Sequence, residues 1–170
     1  MAPGMRRASL LIAVLLAVPL VSAQENLRFN PPPEWVLGNT QQTRDQLLME
    51  FVKKGEKIDN WTELLTMQQF RRARRSPSPR EFYESAKQMR DKRCTGLTDW
   101  SVVAEEPEGT LLYEWKTTGV CEGQPPQSEL VRLVFARNTG HRVAFTTRAP
   151  LDAETRTKWI EWLRALSMSR

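Results

Sequence analysis

The chain has 170 residues, with 25 Lys and Arg against 20 Asp and Glu, two Cys, one His and a formal net charge of +5. That length allows one ordinary domain, large enough to bury a real core. The composition leaves little material for metal or nucleophilic chemistry, because any zinc site or Ser-His-Asp triad would have to be built on His141.

Residues 1–23 read as a cleaved secretory signal. Arg6 and Arg7 form a positive start, Leu10 to Val18 an apolar core, and Val21-Ser22-Ala23 a small-residue cleavage site. The apolar run is shorter than the roughly 20 residues of a membrane span. Cleavage after Ala23 is therefore expected, with Gln24 first in the mature chain and no transmembrane segment left after it. No cysteine follows that site to carry a lipid anchor, which points to a periplasmic or secreted protein. Losing the two leader arginines lowers the net charge from +5 to +3. Five arginines, Arg71, Arg72, Arg74, Arg75 and Arg80, fall in one acid-free stretch, so the basicity is a patch and the remainder is close to neutral.

Residues 24–33 end in Pro31-Pro32-Pro33 and read as an extended, Pro-rich arm. A single globular domain is expected over residues 34–168. Glu34 to Gln42 suits a short strand. Gln46 to Lys53 is apolar on both strand faces, Leu47, Met49 and Phe51 on one and Leu48 and Val52 on the other, with a helix as the competing reading. Asn60 to Phe70 fits a strand or a helix capped by Asn60. After the arginines, Ser78 as N-cap, Pro79 at the first helical position and Glu81 three residues past the cap predict a helix running to about Arg93. Phe82, Ala86 and Met89 share one of its faces.

Two β-prone runs then flank Pro107-Glu108-Gly109. Folding about that turn pairs Val103 with Leu112, Trp100 with Trp115 and Cys94 with Cys121. In an exported chain the two cysteines are expected to form one disulfide. Glu129 to Arg137 reads as a strand with Val131, Leu133 and Phe135 on one face and Leu130, Val134 and Ala136 on the other. Asn138-Thr139-Gly140 reads as a hairpin turn with Gly140 left-handed, and His141 to Arg148 returns. Asp152 caps a last helix bearing the apolar stripe Trp159, Trp162, Leu163 and Leu166.

This order predicts an α+β fold, an α/β/α sandwich in which helices cover one antiparallel sheet. It resembles the Mog1/PsbP-like sandwich, and Asn60-Trp61-Thr62-Glu63-Leu64-Leu65-Thr66 is similar to segments of uncharacterised exported bacterial proteins of that type. The resemblance covers Glu34 to Leu166. It implies binding or accessory roles and brings no catalytic residues.

Chemical signals are few. His141, beside the expected turn, reads as a surface residue. The carboxylate pairs Glu105-Glu106 and Asp152/Glu154 read as solubility groups, and paired cysteines leave no thiolate nucleophile. The run Arg71, Arg72, Arg74 and Arg75 is the sharpest feature. Guanidinium forks suit phosphate and carboxylate, so binding of acidic lipid or polyanion is one function to weigh against a solvated connecting loop. Nucleic acid is disfavoured by the export signal. The six tryptophans read as core, with an aromatic ligand groove as the alternative. Asn60-Trp61-Thr62 is formally a glycosylation sequon. The expectation is a non-catalytic exported binding or accessory protein of the cell envelope, without cofactor or metal, that meets an envelope protein or an anionic surface. A hydrolase built on His141 or a carboxylate pair is the remaining alternative.

Overall fold

Apolar residues alternate over runs of eight or nine, and that period builds strands. The computed structural model describes residues 26–73, 76–106 and 109–169. The elements are β1 (Asn26–Arg28), β2 (Trp35–Gln42), β3 (Gln46–Lys53), β4 (Glu63–Arg71), α1 (Pro79–Arg93), β5 (Thr98–Glu106), β6 (Thr110–Thr117), β7 (Gln127–Phe135), β8 (Thr139–Thr147), α2 (Ala153–Ala165) and β9 (Ser167–Ser169). The expected leader and its cleavage site lie outside the described residues. No helix among the described residues is long and apolar enough to cross a membrane.

Seven strands form one antiparallel sheet in the order β2-β3-β4-β8-β7-β6-β5. Two meanders, β2 to β4 and β5 to β8, join where β4 runs beside β8, from Glu63 opposite Thr147 to Arg71 opposite Thr139. The connection through α1 carries the chain from the middle of the sheet to its far edge. The arm read before the domain contains β1, which pairs with β9 as a separate ribbon, Leu27 opposite Met168. Beyond β1, Phe29 reaches the core, its ring 5.4 Å from that of Phe51 and 5.8 Å from that of Trp162.

The two faces of the sheet bury different clusters. On one, Phe51, Leu65, Leu130, Val143 and Phe145 pack against Trp159, Ile160 and Leu163 of α2. On the other, Leu111, Tyr113, Trp115, Val131 and Leu133 pack against Tyr83 of α1. A third cluster, Val52, Trp61 and Leu64 with Ile58, closes the β3–β4 end under its own connecting loop.

The expected α/β/α sandwich is corrected by these proportions. Among the described residues strands take 51% and helices 20%, in two helices, so the fold is β-rich. A helix of 15 residues is about 22 Å long and about 10 Å wide, whereas seven strands spaced about 4.8 Å apart span roughly 30 Å. One helix per face cannot form a layer over that width. The covering expected of helices is supplied elsewhere by Ile58 and Trp61 of a loop, by Leu27 and Phe29 of the N-terminal segment, and by aromatic side chains standing on the sheet.

Local expectations fare unevenly. The segment Asn60 to Phe70, open to either reading, supplies strand β4. α1 begins at Pro79 and ends at Arg93 as its capping signals predict, with Ser78 accepting from the Glu81 amide and Glu81 from the Ser78 amide. Trp100 faces Trp115 and Cys94 faces Cys121, but Leu112 faces Ala104 rather than Val103. A bulge between Val102 and Ala104 inserts one residue and shifts the register beyond it. The β7–β8 turn is shorter than expected. Ala136 N donates to Thr139 O at 2.9 Å, so Gly140 already lies in β8 opposite Phe135 and Phe70. Glycine is needed there for space, since a Cβ would fall 2.3 Å from the Phe70 ring.

Candidate functional site

The best-defined surface feature is the mouth of the β5–β6 hairpin. Cys94 is the C-cap residue of α1, its amide donating to Arg90 O at 2.8 Å, and its sulfur is bonded to that of Cys121. Beyond the disulfide, Thr95 N donates to Val120 O at 2.9 Å and Thr118 N to Leu97 O at 3.0 Å. The Thr118 hydroxyl accepts from Leu97 N at 3.1 Å, and the Thr117 hydroxyl from Gly119 N at 3.2 Å. Between these bonds the two chains approach so closely that a Cβ on Gly96 would lie 2.3 Å from Gly119 N. Only glycines fit this crossing. Next to them Leu97 is 80% exposed and Val120 47%. Arg93 and Glu122 form an ion pair beside the disulfide.

The arginine run is divided. Arg71, at the end of β4, lies 3.6 Å from Asp45, and both side chains are exposed. Arg72 serves the fold. Its Nη1 donates to Ala136 O at 2.6 Å, its Nη2 to Pro77 O at 3.1 Å, and its guanidinium sits 4.7 Å from the centre of the Phe135 ring. Arg74 and Arg75 lie outside the described residues. Arg80 pairs with Glu105, and this hydrogen bond raises its pKa. The two line a shallow cleft of about 370 Å³ with Ser78, Glu106 and Thr110. Glu106 itself lies 3.9 Å from Arg132.

His141 is a correction. It is 1% exposed, inside β8 and in phase with Val143 and Phe145. The strand starts at Thr139, two residues earlier than the expected turn allows, and this carries the imidazole into the core. The carboxylate pair Asp152/Glu154 belongs to the start of α2, where Asp152 accepts from Thr155 N at 2.8 Å. Among the described residues no group of three or more His, Cys, Asp or Glu is placed to hold a metal ion. The tryptophans pack inward. Trp100 stacks on Trp115 at 5.4 Å, and Trp159 on Phe145 at 4.2 Å.

Two buried ionic assemblies escaped the sequence reading. Glu129 of β7 is 3% exposed; its carboxylate accepts from Trp115 Nε1 at 2.6 Å, pairs with Arg142 and lies 3.6 Å from Arg90. The Arg90 guanidinium also stands 4.2 Å from the Trp115 ring centre. On the other face Arg132 donates through Nη1 to the carbonyls of Leu163, Arg164 and Leu166, closing the C-terminal end of α2. Burial lowers the pKa of both Arg90 and Arg132. The available signal was parity. Glu129 is in phase with Val131 and Leu133, and Arg132 with Leu130 and Val134, so strands apolar on both faces had to bury them.

No family model matches this chain, and no curated protein matches it either.

Proposed function

We propose that the protein is a non-catalytic binding or accessory protein of an exported compartment, and that it engages another protein through the disulfide-closed mouth of the β5–β6 hairpin. One observation carries this reading: Leu97 and Val120 are held out to solvent on backbone that a disulfide, main-chain hydrogen bonds and a glycine crossing keep in place. Isolated apolar side chains are common on surfaces. A fixed pair is different in kind, because little ordering remains to be done when a partner covers it. Full burial of one leucine contributes about 1.5–3 kcal/mol. The Arg93–Glu122 pair would form a polar edge around the contact. The disulfide is consistent with an oxidising compartment. The finer placement, the periplasm of a Gram-negative cell, rests on the leader sequence and belongs to the same proposal.

The test is photo-crosslinking in the native compartment from a reactive residue at Thr95, which is exposed beside the pair. A discrete adduct with another protein is expected, and Leu97→Asp combined with Val120→Asp should abolish it while the urea midpoint stays unchanged. The same adduct from the doubly charged variant would reject this surface.

A further inference from the structure

One end of the sheet is basic. There the β2–β3 turn, the close of β4 and the β7–β8 turn read Thr43-Arg44-Asp45, Arg71-Arg72-Ala73 and Ala136-Arg137-Asn138, four arginines against one acid. The strand order sets the end of β4 midway between the two turns, whose centres are three strand spacings, about 14 Å, apart. Main-chain bonds tie the three segments together. Arg71 N donates to Asp45 O at 2.9 Å and Arg72 N to Asn138 O at 2.8 Å. The Arg72 side chain braces the same turn from within, through Ala136 O. Arg44, Arg71 and Arg137 are exposed. Arg44 and Arg137 are in no ion pair among the described residues, and the exposed Arg71–Asp45 pair at 3.6 Å contributes little. Under β5 the same end carries Glu105 and Glu106, but each has a cation beside it, Arg80 and Arg132. Outside the described residues the sequence adds Arg74 and Arg75 to the run and Glu108 to the β5–β6 turn.

We infer that this end of the sheet docks on an anionic lipid surface, with Arg44, Arg71 and Arg137 each meeting a lipid phosphate. Guanidinium forks suit phosphate. A row about 14 Å long cannot close on one phosphate; it matches a surface that presents many. Basic clusters of about four to eight residues attract anionic headgroups through the negative surface potential. The hydrogen-bonded turns hold the row in place before any lipid is met, so little ordering opposes docking. The contact is peripheral and reversible, resting on charge rather than on inserted apolar chain. It also orients the molecule. The hairpin mouth lies at the other end of the sheet, where Thr98 faces Thr117, and a nine-residue strand sets the two ends about 30 Å apart. A docked molecule therefore holds Leu97 and Val120 away from the lipid, and the two surfaces do not compete.

The experiment is co-sedimentation of the mature protein with vesicles of phosphatidylcholine alone or mixed equally with phosphatidylglycerol. Binding is expected only to the mixed vesicles at low salt, and its loss near 1 M salt, where the Debye length is about 3 Å. Arg44→Gln, Arg71→Gln and Arg137→Gln together should weaken it about a hundredfold, roughly fivefold for each arginine. All three side chains are exposed, so the urea midpoint should hold. The matched control removes three exposed cations elsewhere, Lys54→Gln, Lys57→Gln and Lys92→Gln, for the same change in net charge. It should keep most of the binding. Equal losses in the two triple variants would reject this end of the sheet as the docking surface. No binding to the mixed vesicles would overturn the inference, and so would binding of soluble polyphosphate without binding of vesicles, which would place the phosphates in solution.

Discussion

Glu129 shows how much of the interior depends on one side chain. The carboxylate neutralises Arg142, occupies the indole N–H of Trp115 and draws Arg90 down over the Trp115 ring. Removing it alone leaves a guanidinium and an indole donor without their acceptor in a dry place, and breaking a buried pair in this way costs about 3–5 kcal/mol. Removing both members leaves no orphaned charge between them. Glu129→Leu is therefore expected to lose about 3–5 kcal/mol in urea denaturation, and Glu129→Leu with Arg142→Leu to recover most of it. Equal losses in the single and double variants would show that the pair is not coupled. The parity of β7 made the burial of Glu129 legible; its partners were not, because Arg90 and Arg142 come from a helix and from another strand. His141 was misread for a related reason. The turn before it closes two residues sooner than Asn138-Thr139-Gly140 suggests, and in a strand two residues decide whether a side chain starts at the solvent end or inside the core.

Helix boundaries were far more legible than strand registers, because caps are written in consecutive residues. Ser78 and Asp152 each accept an amide hydrogen bond at the start of a helix, and in α1 Glu81 returns the bond to Ser78 N. Ser78→Ala should lower stability by about 1 kcal/mol. Backbone hydrogen bonds from Ser78 and Thr155 hold the Glu81 and Asp152 carboxyls below their ordinary values of 4.5 and 3.8. The unfolded chain therefore takes up these protons at higher pH than the folded one does. The stability they contribute is complete above those ordinary values and disappears as pH falls through the lower folded-state values. Urea midpoints should decline below about pH 4.5, and the decline should be shallower in Glu81→Gln with Asp152→Asn. An unchanged slope in that variant would mean that the caps do not set the acid limb. By contrast, nothing in Ser101-Val102-Val103-Ala104 marks the bulge that moves Leu112 opposite Ala104, since the inserted residue is an ordinary β-branched one.

At the scale of the whole molecule, the decisive pairing is β4 with β8, which joins two meanders whose strands are far apart in sequence. The β5 to β8 meander could be read from turns and alternation, whereas β3 and β4 stayed open to a helix, and no local signal names the strand that a distant edge will meet; this is why the sheet order and the β-rich proportions were not legible. Such non-local contacts must bring the chain together before they contribute anything. The Cys94–Cys121 bond acts on this balance. It closes a span of 27 residues that contains β5 and β6, and it anchors the end of α1 to the sheet. In the chain-entropy description, closing a loop of that length removes about 3–4 kcal/mol worth of freedom from the unfolded state. Cys94→Ala with Cys121→Ala should therefore lower the unfolding free energy by about 3 kcal/mol. The wild type in the presence of a strong reductant should lose a similar amount. Because the effect lies mainly in the unfolded ensemble, the variant should keep the native circular dichroism spectrum and the close stacking of Trp100 on Trp115, read by tryptophan fluorescence. A loss below about 1 kcal/mol would show that the hydrogen bonds and glycine crossing at the mouth hold the hairpin closed without the disulfide. A collapse of the native spectrum would show the opposite, that α1 cannot dock on the sheet unless Cys94 is tied to it.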